Sequence, residues 1–188
     1  MQNDIRQQCL TARRQMSSEE RDTASGKIAD TVMHSSWFQR SRTVACYLPM
    51  SAEVDTKRII ARAWRMKKRI FAPVTEKNGA MTFRHMSAET ALYRNDYGIY
   101  EPGDEKIIDP RELDIVITPL VAFDAQNQRI GMGGGYFDRT FSFLRYRNAY
   151  LRPKLIGVAF ACQKVEKIPA NPWDIPLFRV ITEKTGTI

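Results

Sequence analysis

The sequence has few residues that could form disulfide bonds or a zinc site. Among its 188 residues there are three cysteines and two histidines. Cys9, Cys46 and Cys162 are far apart and no Cys-x-x-Cys spacing occurs, so neither a disulfide framework nor a zinc site is predicted. Cys46 lies in an apolar run, where a cysteine is expected to belong to the core.

Long apolar segments are also missing. No run approaches the ~20 residues that a membrane-spanning helix needs, and residues 1–6 lack the apolar stretch of a signal peptide. We therefore expect a cytoplasmic protein with no membrane partner. The length and the hydrophobic content of 43% are typical of one globular domain, and we expect residues 1–188 to form a single domain that acts as a monomer.

Basic residues outnumber acidic ones, and the formal net charge is +8. Clustered Lys and Arg would indicate a nucleic-acid binder, whereas a general positive field would attract a polyanionic small molecule. The basic residues are spread along the chain and lie in no recognisable nucleic-acid motif. A nucleic-acid-binding module is therefore the second hypothesis, and no nucleic-acid partner is expected.

Apolar runs alternate with helical patterns along the chain. Strands are predicted at residues 43–48, 69–73, 80–84, 113–118, 154–160 and 179–182. Helices are predicted at residues 4–16, on the surface, then from a Ser17/Glu20 capping box onward, and at 57–68. Residues 86–106 have a weak pattern and are predicted to be irregular. The alternation indicates an α/β domain with a mostly parallel sheet, in which ligands bind beyond the carboxyl ends of the strands.

The most informative segment is residues 131–139, with the sequence Gly-Met-Gly-Gly-Gly-Tyr-Phe-Asp-Arg. Glycines let successive backbone N–H groups approach one centre, and a following helix adds partial positive charge, so a phosphate is a natural ligand. A flexible hairpin without a ligand is the alternative. Asp138 and Arg139 favour the ligand, because one could hold a cation and the other a phosphate. The segment is neither a Walker A sequence nor a dinucleotide fingerprint.

Carboxylates and aromatic residues elsewhere add candidates to this site. A carboxylate beside a polyphosphate is best tolerated with a divalent cation between them, so Asp138 implies Mg²⁺ if ATP is the ligand. Glu53, Glu101 and Asp174 lie on predicted loops, and each could equally be a solvated or turn-forming residue. Candidate walls for a flat ligand are Tyr47, Phe83, Tyr97, Tyr136 and Phe137, although each such residue taken alone is more often a packing residue.

Residues 124–139 resemble the signature of the 5-formyltetrahydrofolate cyclo-ligase family, also called methenyltetrahydrofolate synthetase. The resemblance extends over nearly the whole chain and includes the N-terminal basic helix, Tyr47-Leu48 with residues 53–56, residues 97–102, and Trp-Asp-Ile-Pro at 173–176. It implies a three-layer α/β/α domain with a mostly parallel central sheet, similar to phosphosugar isomerases and CoA transferases.

The resemblance also implies an activity. In this family ATP phosphorylates the formyl oxygen of 5-formyltetrahydrofolate, N10 attacks the activated carbon, and phosphate leaves to give 5,10-methenyltetrahydrofolate and ADP. No covalent enzyme intermediate is required, which agrees with a sequence that lacks an evident Ser/His/Asp or Cys/His constellation. The folate is expected with or without a polyglutamate tail, and the basic charge leads us to predict weaker binding of the monoglutamate.

Site residues follow from the resemblance position by position. ATP is assigned to Arg6, Arg129, Ile130, Gly131, Met132, Gly133, Gly134, Gly135, Tyr136 and Phe137. Folate is assigned to Leu48, Glu53, Met132, Gly133, Gly134, Gly135 and Tyr136, and magnesium to Asp138 and Asp174. Arg139 is our own candidate for neutralising the γ-phosphate, because it is adjacent to Asp138.

Two positions depart from the family pattern. Many members have Lys four residues before the position of Arg6, where this chain has Gln2, and a second Asp four residues after the position of Asp174, where this chain has Phe178. Another phosphate-handling α/β enzyme, such as a phosphosugar isomerase or an acyl transferase, is the alternative hypothesis, because a fold does not determine a function.

Overall fold

The computed structural model describes residues 1–50, 52–76, 79–95, 98–103, 106–146 and 152–186. The strands are β1 (Thr43–Cys46), β2 (Arg69–Thr75), β3 (Met81–His85), β4 (Leu92–Arg94), β5 (Tyr100–Pro102), β6 (Ile107–Ile108), β7 (Ile115–Pro119), β8 (Ala122–Phe123), β9 (Arg129–Ile130), β10 (Lys154–Val158) and β11 (Arg179–Ile181). The α-helices are α1 (Gln2–Gln15), α2 (Ser18–His34), α3 (Ser36–Arg40), α4 (Lys57–Arg65) and α5 (Tyr136–Thr140). Short 3₁₀-helices lie at Pro110–Glu112, Ser142–Tyr146 and Ala161–Gln163.

Seven strands form the central sheet, in the order β11-β10-β7-β1-β2-β3-β6. The five strands from β11 to β2 run parallel. At one edge β3 pairs antiparallel with β2, and β6 pairs antiparallel with β3. The predicted α/β fold with a mostly parallel sheet is therefore confirmed. The prediction of irregular structure for residues 86–106 was wrong in part, because β4 and β5 pair there as a hairpin. Strands of three residues are too short to show a period of two in the sequence.

The sheet is covered on both faces. One face packs against α2, α3 and α4 through residues such as Ile28, Phe38 and Ile59, all fully buried. The other face packs against Phe141, which follows α5, and against the segment that contains Ile175 and Leu177. A sheet that is buried on both faces explains why its parallel strands are continuous apolar runs. Cys46 lies in this core as predicted, and burial raises the pKa of its thiol to about 12.

Helix α2 begins as the sequence predicts, and α1 lies on the surface as expected. Ser17 and Glu20 form the predicted capping box, in which each side chain accepts the other residue's backbone N–H. Most residues of α1 are exposed or half-buried, and its buried apolar residues Cys9 and Leu10 pack against the hairpin of β8 and β9. Helix α1 also packs against the 3₁₀-helix at Ala161–Gln163. Within the described residues, no helix is long and apolar enough to cross a membrane.

The strand order creates a crevice at the carboxyl ends of β1 and β7. From β1 the chain crosses through α4 to β2 on one side, whereas β7, β10 and β11 follow on the other side. The segments that leave β1 and β7 therefore diverge and leave a gap between them, which is where open α/β sheets bind ligands. Glu53 follows β1, and the glycine loop follows the hairpin after β7. The predicted site thus has two parts at this edge, here called half-sites: the glycine loop and the surroundings of Glu53.

Candidate active site

Asp124 shapes the hairpin that presents the glycine loop. Its carboxylate is 1% exposed, and Oδ1 accepts the N–H groups of Gln126 and Gln128 at 2.9 and 3.0 Å. Oδ2 accepts the N–H of Ile168 at 2.9 Å, which attaches the turn to a distant segment. A buried carboxylate with three N–H donors holds a tight turn. The sequence pattern did not assign this role to Asp124, although Asp before a polar turn is a known signal for it.

The glycine loop requires glycine at particular positions. Gly133 and Gly135 have φ of +105° and +64°, a region that residues with a Cβ rarely occupy. A Cβ at Gly134 would lie 2.6 Å from the Tyr136 ring, and one at Gly135 would lie 2.8 Å from Arg139 Nη1. Three of the first five positions therefore need glycine for conformation or for space. The side of the loop that these glycines leave open is exposed to solvent.

Arg129 and Asp138 join the two ends of this loop. Arg129 Nη2 lies 2.9 Å from Asp138 Oδ1, and the Arg129 side chain is 5% exposed. The same Oδ1 accepts the Ile175 N–H at 3.0 Å, while Arg129 Nη1 donates to the Ile175 carbonyl. Burial lowers the pKa of Arg129, and the charges of Asp138 and Asp174 oppose that shift. The guanidinium predicted to contact ATP thus also fixes the loop to the 171–177 segment.

The two carboxylates assigned to magnesium lie near the same buried arginine. Asp138 and Asp174 both act electrostatically on Arg129, so they lie in the same part of the site. Asp174 Oδ2 accepts a hydrogen bond from the backbone N–H of Asn171 at 2.7 Å and another from the side-chain Nδ2 of Asn171 at 3.3 Å. No group of three or more His, Cys, Asp or Glu that could hold a metal occurs among the described residues. Two carboxylates do fit Mg²⁺, which usually takes one or two carboxylates together with phosphate oxygens.

Two further arginines contact the loop. Arg6 Nε donates to the Gly131 carbonyl at 2.8 Å, and a Cβ at Gly133 would lie 3.8 Å from Arg6 Nη2. Arg139 Nη1 donates to the Gly134 carbonyl at 2.8 Å, and Nη2 donates to Gly79 at 3.3 Å. Three cationic side chains therefore surround a loop whose backbone is open, and such an arrangement favours an anion. Gln2, at the position of the family Lys, donates to the Pro169 carbonyl instead.

Glu53 lies in a separate small cavity at the same edge of the sheet. The cavity is too small to hold a water molecule, and it is also lined by Arg13 and Tyr47. Glu53 Oε2 accepts the Met50 N–H at 3.0 Å. Burial raises the pKa of Glu53, and the Met50 N–H and the positive charge of Arg13 oppose that rise. Leu48, on the same loop, is half-buried and packs against the core.

Helix α1 connects the two half-sites. Arg6 contacts the glycine loop, and Arg13 lines the Glu53 cavity. Residues seven apart lie on one face of a helix, separated along its axis by about 10 Å. One arginine from the same helix therefore lies at each of these two places.

Comparison with known proteins assigns the family. The sequence profile of the 5-formyltetrahydrofolate cyclo-ligase family matches residues 1–183. The chain belongs to the 5-formyltetrahydrofolate cyclo-ligase family. This is a family of enzymes, and the resemblance noted in the sequence is thereby confirmed.

Individual cyclo-ligases resemble the chain over most of its length. The 5-formyltetrahydrofolate cyclo-ligase of Escherichia coli K12 is 37% identical over 174 residues, which are 90% of this chain and 93% of the relative. That of Haemophilus influenzae is 35% identical over 148 residues, or 76% of each chain. The solved structure of 5,10-methenyltetrahydrofolate synthetase from Aquifex aeolicus superposes with a TM-score of 0.84 at 29% identity, covering 98% of this chain and 90% of that one.

The aromatic candidates separate into core and site residues in this member of the cyclo-ligase family. Phe83 is fully buried, and Phe137 stacks on Phe141 with ring centroids 6.1 Å apart, so both rings pack against the protein. Tyr47 is 5% exposed, and its hydroxyl donates to the Val54 carbonyl at 2.9 Å. Tyr136 is half-buried on the glycine loop, whereas Tyr97 lies outside the described residues. Tyr136 is thus the candidate wall that the structure leaves beside the loop.

Glu101 has a structural role in the same cyclo-ligase fold. Its Oε1 accepts the Thr75 N–H at 3.0 Å and an N–H of the Asn95 side chain at 2.8 Å. These bonds attach the β4–β5 hairpin to β2. Residues that sequence reasoning did not select for the site are Asp124, Ile175 and Arg13. Arg13 had a usable signal, since an Arg seven positions after Arg6 occupies the same helical face.

Proposed function

We propose that the chain catalyses the ATP- and Mg²⁺-dependent cyclisation of 5-formyltetrahydrofolate to 5,10-methenyltetrahydrofolate, with release of ADP and phosphate. Family membership and the names of the relatives support the folate reaction. The observation that carries the proposal is the pair of charged half-sites joined by α1, with three arginines and an open glycine loop at one and a half-buried carboxylate at the other. The first suits a polyphosphate, and the second suits a ligand with N–H donors.

The proposed reaction has two steps. The formyl oxygen attacks the γ-phosphorus of ATP, the bond to the β-phosphate oxygen breaks, and ADP leaves. N10 then attacks the formyl carbon and loses its proton, and the C–O bond breaks to release phosphate. In both steps negative charge builds up on the oxygen atom of the leaving group. The protein therefore contributes mainly by positioning the reactants and by stabilising that charge.

The residues of the glycine loop would perform the nucleotide part. Arg6 and the backbone N–H groups of residues 131–135 would bind phosphate oxygens, with Arg139 moving from the Gly134 carbonyl to the γ-phosphate. Asp138 and Asp174 would hold Mg²⁺, which neutralises polyphosphate charge when bound. Glu53 and Leu48 would contact the folate, and Tyr136 would lie between the two ligands. We also propose that the enzyme is monomeric and cytoplasmic. Sedimentation as a dimer would contradict the monomeric state.

A product assay tests the proposal directly. Purified protein is mixed with Mg-ATP and 5-formyltetrahydrofolate, and the absorbance of the methenyl product is followed together with ADP. One ADP per methenyl group is expected, and ATP binding without product would contradict the assignment of the substrate.

The phosphorylated intermediate has a separate test. Folate labelled with ¹⁸O at the formyl oxygen should transfer that label to the released phosphate, because the formyl C–O bond breaks in the second step. Appearance of the label in water instead would exclude the intermediate and leave the overall reaction standing.

A further inference from the structure

The family resemblance assigns Arg129 to ATP, yet its guanidinium is directed at the protein. The side chain is 5% exposed, so it offers little surface to a phosphate. Nη2 lies 2.9 Å from Asp138 Oδ1, and Nη1 donates to the Ile175 carbonyl. The guanidinium carbon also lies 6.0 Å from the centroid of the Phe137 ring. Both terminal nitrogens of Arg129 are therefore engaged by groups of the protein itself.

Two arginines hold the backbone on either side of Asp174. Arg145 donates to the carbonyl of the preceding residue, Trp173. Arg129 donates to the carbonyl of the following residue, Ile175. The peptide groups that flank Asp174 are thus both bound by side chains from outside its own segment. The position of Asp174 relative to the glycine loop therefore depends on these two arginines.

The two carboxylates assigned to magnesium each use one oxygen for the protein. Oδ1 of Asp138 accepts from Arg129 at 2.9 Å and from the Ile175 N–H at 3.0 Å. Oδ2 of Asp174 accepts from Asn171. The second oxygen of each carboxylate accepts no hydrogen bond from the described residues. One available oxygen on each of two carboxylates suits Mg²⁺, which takes one or two carboxylates beside phosphate oxygens.

We propose that Arg129 is a positioning residue for the metal and does not itself contact phosphate. Its guanidinium joins Asp138 to the segment of Asp174, so it sets how the two carboxylates face each other. This inference rests on the proposed function. Residues that orient metal ligands without touching the metal typically change metal affinity by roughly 10- to 100-fold when they are replaced.

A lysine at position 129 would separate the two possible roles of Arg129. Lysine binds phosphate well as a point charge, so it would largely replace an arginine whose role is to contact ATP. It lacks the planar fork of arginine and cannot hold the Asp138 carboxylate and the Ile175 carbonyl in the same geometry. Arg129→Lys should therefore impair the metal-dependent part of ATP binding and spare the rest.

The test compares the Kd for ATP in the presence of Mg²⁺ with the Kd in the presence of EDTA, by calorimetry. In Arg129→Lys the Kd for Mg-ATP should rise by about tenfold, and the Kd for metal-free ATP should stay close to the wild-type value. Arg6→Met removes the predicted phosphate contact and should raise both Kd values by a similar factor. Arg152→Lys is the matched control, because Arg152 pairs with Asp114 at the amino ends of the strands; it should change neither value.

Two results with Arg129→Lys would overturn the inference. Equal rises of both Kd values would indicate a phosphate contact or a general loss of structure, and an unchanged Kd for Mg-ATP would show that Arg129 does not act on the metal. A crystal structure of the wild-type protein with Mg²⁺ and a non-hydrolysable ATP analogue does not depend on the folding of any variant. Arg129 should still contact Asp138 and Ile175 there, and a phosphate oxygen hydrogen-bonded to its guanidinium would contradict the inference.

Failure of the proposed function is distinguishable from failure of this inference. In that case the wild-type protein forms no methenyl product from 5-formyltetrahydrofolate. The binding measurements use ATP and Mg²⁺ alone, so their outcome for Arg129 does not depend on turnover of the folate.

Discussion

Asp138 Oδ1 accepts two hydrogen bonds, one from Arg129 Nη2 at 2.9 Å and one from the Ile175 N–H at 3.0 Å. The carboxylate assigned to magnesium therefore also closes the glycine loop and attaches it to the segment that contains Asp174. A metal would use the remaining capacity of Asp138 without opening the loop. Its two roles are separable by experiment, because only one of them needs a divalent cation.

Replacing Asp138 with Asn should affect both roles. The buried Arg129 loses its charged partner, so the free energy of unfolding should fall by roughly 2 kcal/mol, and the Mg²⁺ concentration needed for half-maximal activity should rise. Thermal melting and a magnesium titration measure the two effects. Asp174→Asn is the control, since Asp174 is hydrogen-bonded to Asn171; it should change the magnesium titration with less effect on melting. An unchanged magnesium requirement in Asp138→Asn would argue against the metal role.

Gly133→Ala should weaken binding of ATP and folate together. Its φ of +105° costs a residue with a Cβ about 1–3 kcal/mol, so the loop would relax to another conformation. Gly131→Ala is the matched comparison, because its φ is ordinary and a Cβ there would meet nothing within 4 Å. Its effect on either Kd should be smaller. Loss of ATP binding with intact folate binding would show that the two ligands do not share this loop.

Arg139→Ala should reduce turnover far more than folate binding. If Arg139 stabilises charge on the transferred phosphoryl group, kcat should fall by about 100-fold or more. Arg139 also donates to Gly134, so Arg139→Lys is needed to separate charge from support of the loop. Steady-state kinetics and folate binding on both variants provide the measurement. Normal turnover in Arg139→Ala would remove the assignment.

Asp114 should contribute stability that depends on pH. Burial tends to raise the pKa of Asp114, but the N–H groups of Arg42 and Thr43 and the charge of Arg152 outweigh it and lower the pKa. A lowered pKa stabilises the folded state above the ordinary carboxyl pKa of about 4, and this contribution is lost as the pH falls towards the folded-state pKa.

The variant Asp114→Asn tests that contribution by urea unfolding. It should be less stable by about 1–2 kcal/mol near pH 7, and the difference should shrink below about pH 4. Asp109→Asn, which removes the charge of an exposed cap residue of a 3₁₀-helix but keeps a capping oxygen, should cost less. A difference that stays constant down to the acid end would contradict the role of the charge.

Folate with a polyglutamate tail should bind more tightly than the monoglutamate. The net charge of +8 attracts a second polyanion, and the advantage should decrease as salt screens it. Binding of the two forms at low and at moderate ionic strength measures the effect. Equal affinity at low salt would contradict the prediction.

Local sequence patterns predicted the helices and strands well where a single physical cause produces the pattern. Apolar runs identified the parallel strands, since strands covered on both faces have no polar side, and the Ser17/Glu20 pair located the start of α2. The hairpin of β4 and β5 was missed, because it is three residues long on each side and its stability comes from partners such as Glu101 on Thr75. Its residues carry no periodic signal of their own.

The sequence by itself determined the family, the α/β class and the residues of the glycine loop, because each of these is written in contiguous residues and their spacing. Only the tertiary structure decided which distant residues meet. In the folded chain Asp138 accepts hydrogen bonds from Arg129 and Ile175, and Arg6 donates to the Gly131 carbonyl. Arg13 and Glu53 line the same cavity. These pairs depend on how α1 and the 171–177 segment pack at the edge of the sheet, and packing of distant segments leaves no pattern in a single sequence.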